Sequence, residues 1–178
     1  MAEIYVHDKV FVPFLTRDAI AERVAAVAGK INAEYAGKNP LIIGILNGSF
    51  IFAADLFREL YIEAEISFIK LASYKGTSST GHVVTAVGLE EDIHGRHIII
   101  VEDIIDTGKT MSSFLPEIQH RQPASVRIAT FLTKPSALKH DVVADYTAFE
   151  IEDKFVVGYG LDYNGLGRNL PDLYIIKE

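Results

Sequence analysis

Three carboxylates stand within one short run, Glu102, Asp103 and Asp106, and Thr107-Gly108-Lys109-Thr110 follows at once. Carboxylates grouped this way can accept hydroxyl protons, hold a divalent cation, or take a proton from a reacting nitrogen. The glycine and hydroxyl residues behind them offer backbone amides and O–H donors, the groups that meet a phosphate. A bare phosphate would be repelled by the acids. A ribose diol, or Mg²⁺ carried by a diphosphate, would remove that conflict. Gly108-Lys109-Thr110 matches the end of a Walker A loop, but that loop needs glycine five positions before Gly108, where Asp103 stands. A Walker A loop is excluded.

The elements around this run must hold it in place. Ile98-Ile99-Ile100-Val101 has the composition of a strand buried on both faces of a parallel sheet. Met111, Phe114, Leu115 and Ile118 recur at helical spacing. The expectation is a strand that ends before Glu102, a short acidic loop, and a helix with Thr107 and Gly108 at its mouth. Open α/β folds bind ligands at such strand ends. Upstream, Thr16 can cap a helix carrying Ile20, Val24, Val27, Ile31 and Tyr35 on one face, ended by Gly37 and Pro40. Leu41–Leu46 reads as a buried strand, Asn47-Gly48-Ser49 as a turn, and Phe50, Ala54, Phe57 and Tyr61 as the face of a second helix. Glu65–Ser73 and His82–Gly88 read as strands around a polar, glycine-bounded loop, 74–81. Further strands are expected at Ser125–Leu132, Tyr146–Phe149, Phe155–Val157 and Tyr174–Ile176. Pro116 is expected to bend the helix behind the central run. Alternating strands and helices predict an α/β domain over residues 1–178, with a mainly parallel sheet and a small antiparallel hood.

Composition narrows the function. With 178 residues and 49% hydrophobic, the chain can bury a sizeable core. There is no cysteine, which removes disulfides, thiolate metal sites and cysteine nucleophiles together. No apolar run approaches the roughly 18 residues of a membrane span, and the N-terminus lacks a signal-peptide pattern, so a cytoplasmic protein is expected. A net charge of −7 argues against a nucleic-acid surface. Any anionic substrate must therefore be met locally, by amides, Mg²⁺ and a few placed cations.

The full run VEDIIDTGKT resembles, essentially residue for residue, the phosphoribosyl-diphosphate (PRPP) motif of type I phosphoribosyltransferases in their hypoxanthine-guanine form. The resemblance extends over most of the chain from about Leu41. It implies that family's fold, a twisted, mainly parallel sheet flanked by helices with a hood over the purine. The implied reaction is purine salvage: a 6-oxopurine joins the ribose C1 of PRPP, giving a purine nucleoside monophosphate and diphosphate. Xanthine-preferring relatives share this pattern, and so would a non-catalytic PRPP sensor, although the low pI of about 5.4 speaks against a DNA-binding regulator.

Carried onto matching positions, the resemblance makes Asp106 the general base at purine N7. Glu102 and Asp103 would hold the ribose hydroxyls and Mg²⁺, while Thr107, Gly108, Lys109 and Thr110 would cradle the 5′-phosphate. Asn47 and Gly48 would form the diphosphate loop; the family often has Lys or Arg at the first position, so this chain lacks that cation. Ser73 and Tyr74 would begin a closing loop. Lys134 would donate to the purine 6-oxo group, Phe155 would stack on the ring, and Val156 would bind it through its main chain. Asp162 would contact the base side and a second Mg²⁺, and Arg168 the diphosphate. The family also implies a homodimer or homotetramer.

Overall fold

A computed structural model describes residues 2–73 and 84–177. The chain opens with a hairpin, β1 (Ile4–Val6) and β2 (Lys9–Leu15). Thr16 then caps α1 (Arg17–Tyr35), its Oγ1 accepting from the Ala19 amide at 3.2 Å, with Asp18 in the positive first turn. The expected face of α1 is the buried one: Ile20, Val24, Val27, Ile31 and Tyr35. There follow β3 (Leu41–Leu46), α2 (Phe50–Arg58), β4 (Glu65–Ser73), β5 (Val84–Val87), β6 (His97–Ile105) and α3 (Lys109–His120). The chain closes with β7 (Ser125–Thr133), β8 (Tyr146–Glu150), β9 (Val156–Val157) and β10 (Leu173–Ile176).

Among the described residues the strands form two sheets. The larger runs β5-β4-β3-β6-β7-β8; its pairs are parallel except at the edge, where β5 lies antiparallel to β4. The smaller is antiparallel, β1-β2-β10-β9, and forms the expected hood. β6 lies between β3 and β7, and its side chains alternate between two cores. Ile99 and Val101 join the core under α1 and α2, while Ile98 and Ile100 join Met111, Phe114 and Ile118 of α3. All four strand residues are fully buried, each stabilising the fold by about 1.5–3 kcal/mol. That burial makes β6 a rigid support for whatever stands at its carboxyl end.

Three expectations need correction. β6 does not stop at Val101: Glu102 pairs with Thr130, and the ladder continues to Ile105 opposite Thr133. Glu102 and Asp103 are thus strand residues, because β7 offers an unbroken partner past the apolar run. In α2 the buried face is Phe52, Ala53 and Leu56, whereas Phe50 and Tyr61 are exposed, Tyr61 beyond the helix end. The segment FIFAADLF is apolar on nearly every side, so periodicity alone could not choose between faces. The expected strand at Phe155–Val157 begins at Val156. α3 runs through Pro116, whose ring is exposed. The loop expected at 74–81, including Tyr74, lies outside the described residues.

Candidate active site

The carboxyl end of β6 opens into a cavity of about 330 Å³, lined by residues 102–111 with Ile45, Leu46 and Leu71. Each part of the central run faces it with different chemistry. Glu102 is buried, and that burial, reinforced by neighbouring Asp103, pushes its carboxyl well above the usual range. Glu102 Oε1 accepts from the Asp103 amide at 3.1 Å, and Asp103 Oδ1 accepts from the Ile104 amide at 2.8 Å. Two adjacent carboxylates short of positive charge fit a divalent cation, which takes hard oxygen donors. Among the described residues no group of three or more His, Cys, Asp or Glu could hold a metal, so a bound substrate would have to supply further ligands.

Beyond the strand, Gly108 takes φ +79 and caps α3, a backbone conformation glycine adopts without strain. The Ser112 amide donates to Gly108 O at 2.9 Å, the first bond of the helix, so the preceding amides have no intrahelical acceptor. Thr107 O accepts from the amides of Lys139 and His140 at 3.0 and 3.1 Å, which pins the loop from behind. Lys109 and Thr110 are exposed at the cavity mouth. A phosphate would meet amides, a hydroxyl and the positive helix end there.

The Asn47-Gly48 turn joins β3 to α2 through a cis Leu46–Asn47 peptide. Buried Ser49 ties it down, its Oγ donating to Ile45 O at 2.6 Å. A Cβ built on Gly48 would lie 1.5 Å from Asp103 Oδ2. Glycine is needed here for space, and not for a positive φ. On the other side, a Cβ on Gly160 would lie 2.2 Å from Gly48 O. Arg168 Nη1 donates to Gly160 O at 2.8 Å, and its Nη2 lies 2.6 Å from Asp162 Oδ1. Asp162 Oδ2 accepts from the Gly165 amide at 2.7 Å. The four positions Asn47, Gly48, Asp162 and Arg168 thus gather on one flank of the carboxylate run, with both Asp162 oxygens already engaged.

On the other flank, buried Lys134 donates to Asp106 Oδ2 at 3.4 Å and to Asp153 Oδ1 at 3.2 Å. Its own amide donates to Ile105 O at 3.0 Å, fixing the end of β7 against the end of β6. Phe155 keeps 45% of its surface exposed, and its ring lies 5.7 Å from that of Tyr163 and 6.2 Å from that of Phe11. Val156 lies on β9, an edge of the hood sheet, so one side of its main chain is not used by the ladder. Ser73 ends β4, and nothing in the described residues places Tyr74.

Asp153, Tyr159 and Gly160 were not among the residues picked out from the sequence. Asp153 sits in a surface acidic turn and declares itself only by proximity to Lys134. Tyr159 and Gly160 follow the expected Phe155–Val157 strand in a glycine-rich stretch whose turn signals mark irregular backbone but assign no role to either residue.

Residues 14–164 match the family described as "Phosphoribosyl transferase domain". A hypoxanthine-guanine phosphoribosyltransferase of Streptococcus pneumoniae is 42% identical over 92% of both chains. A hypoxanthine-guanine-xanthine phosphoribosyltransferase of Tritrichomonas foetus is 40% identical over 91% of this chain and 89% of its own. Among solved structures, a Staphylococcus aureus hypoxanthine phosphoribosyltransferase superimposes with TM-score 0.87 at 35% identity, covering 93% of this chain and 91% of that one. With the type I phosphoribosyltransferase fold and this identity over nearly its whole length, the chain belongs to the hypoxanthine-guanine phosphoribosyltransferases.

Proposed function

We propose that the protein transfers the phosphoribosyl group of PRPP to hypoxanthine and guanine, with Asp106 and Lys134 reading the base. One observation carries this: a donor and an acceptor stand side by side, Lys134 Nζ 3.4 Å from Asp106 Oδ2. A 6-oxopurine presents O6 and N7 next to each other on one edge. The ammonium suits O6, and the carboxylate suits a protonated N7, whose proton it takes as the bond to ribose forms. Adenine offers an amino donor where Lys134 also donates, and is disfavoured by an unpaired buried group.

Glu102 and Asp103 orient the ribose hydroxyls, Thr107 to Thr110 receive the 5′-phosphate, and Gly48 with Arg168 faces the diphosphate. Glu102 and Asp103 would hold one Mg²⁺ and Asp162, in exchange for its contact with Arg168, a second; each ion when bound would offset charge on the leaving diphosphate. Phe155 stacks on the base and Val156 meets it through main-chain groups. Assembly as a homodimer or homotetramer and a cytoplasmic location belong to the same reading, and light scattering and cell fractionation test them.

The test of the reaction is nucleotide formation from PRPP and Mg²⁺ with hypoxanthine, guanine, xanthine and adenine in parallel. Hypoxanthine and guanine are expected to turn over, and Asp106→Asn to lower kcat/KM by about 10²–10⁴-fold. Dominant xanthine turnover would reassign the base. Unchanged kcat/KM in Asp106→Asn would remove the proton role while leaving the reaction intact.

A further inference from the structure

Lys134 has two carboxylate partners, and only one of them can belong to the reaction. Asp106, at 3.4 Å, must turn part of its charge toward the base during catalysis. Asp153, at 3.2 Å, lies on the loop between β8 and β9, two residues before Phe155. A buried ammonium is costly unless charges or dipoles compensate it throughout. If Asp106 were the sole partner, Lys134 would be stabilised by gripping the group that has to accept the N7 proton. The contact would then hold the Asp106 carboxylate on the ammonium and away from N7, and tie up Lys134 protons that O6 needs. A second carboxylate removes this conflict. The ammonium has three protons: one can stay on Asp153, one can face Asp106, and the third is left for O6.

We propose that Asp153 is a positioning residue for 6-oxopurine recognition, anchoring the Lys134 ammonium so that it can serve the base without sequestering Asp106. This rests on the reading of Lys134 and Asp106 given above. Its placement adds a second effect. Asp153 is on the same short loop as Phe155, so the anchor also ties the stacking residue to the end of β7. The ion pair thereby links two contacts to one ligand, the edge contact and the face contact.

The test compares the unaltered enzyme with Asp153→Asn and Asp153→Glu, measuring KM for hypoxanthine, KM for PRPP, kcat and Tm. Asp153 is exposed, and the fold should tolerate both changes. In Asp153→Asn the hypoxanthine KM is expected to rise roughly tenfold, as for loss of one charge-assisted bond. PRPP KM and Tm should stay at the unaltered values, and Asp153→Glu should restore most of the hypoxanthine KM. A hypoxanthine KM unchanged in Asp153→Asn would overturn the proposal. So would parallel rises in both KM values with a lower Tm, the signature of general loosening. If the unaltered enzyme turned over no 6-oxopurine, the reading of the reaction would fall first, and this inference with it.

Discussion

At the scale of single residues, the site is built from groups the fold would rather not contain. Glu102 shows this most clearly: it is buried on a central strand beside another carboxylate, with its pKa driven up by lost solvation and then by Asp103. The sign of the effect on stability follows from that direction. A raised native pKa means the folded protein holds its proton where the unfolded chain has released it, so stability falls as pH rises above the ordinary glutamate range. Glu102→Gln is therefore expected to raise Tm of the substrate-free protein at neutral pH while lowering kcat/KM, and to flatten the decline of Tm with pH. A scanning melt at pH 5 and pH 8 checks both; a lower Tm in the variant at pH 8 would contradict the account. The sequence exposed Glu102 as chemistry-bearing through its neighbours. It did not show that Glu102 is buried in the ladder, because that depends on how far β7 runs alongside. Gly48 was legible as a turn glycine, but its reason, room for Asp103, required the strand next door.

Among elements, the question is what holds the β3–α2 turn against the hood. Gly158, Tyr159 and Gly160 all have positive φ, with values of +109, +47 and +98. For a tyrosine that backbone is disfavoured and needs compensation. Tyr159 finds it in place: buried, its ring lies 4.7 Å from Phe131, and its hydroxyl donates to Asp55 Oδ2 of α2 at 2.8 Å. Burial and the Asp55 carboxylate push that hydroxyl far above its ordinary range, so it remains a donor. The bond spans from the hood segment to the helix that follows the Asn47-Gly48 turn, and Gly160 sits directly on Gly48. Tyr159→Phe keeps the ring and removes the bond, with an expected cost of about 2 kcal/mol. The KM for PRPP should rise more than the KM for hypoxanthine; a change in hypoxanthine KM alone would refute this role. Periodicity could find α1 because its large apolar side chains, Ile20, Val24, Val27, Ile31 and Tyr35, all recur on one side. It failed on α2, which is apolar nearly all round, and on residues 158–160, where no period exists to read.

For the whole molecule, the two sheets draw on the chain differently. The parallel sheet is complete by Glu150, whereas the hood combines β1 and β2 with β9 and β10, and β10 lies between β2 and β9. This layout was only partly visible in the sequence, which shows a strand near Tyr174 but not that it pairs with one from the opposite end of the chain. A chain cut after Asp172 is expected to keep the β6–α3 cavity yet lose hypoxanthine binding, because β10 alone carries the backbone ladder between β2 and β9. Calorimetric titration with PRPP and with hypoxanthine separates the two; retained hypoxanthine affinity would contradict it. The consequence reaches back to synthesis. A domain folds as its chain emerges, N-terminal part first. On the ribosome the hairpin β1–β2 must wait, its β10-facing edge unpaired, until Leu173–Ile176 emerges. The parallel sheet with the β6–α3 cavity can therefore form before the hood, and the waiting edge is where a nascent chain of this protein is most open to mispairing and to chaperones.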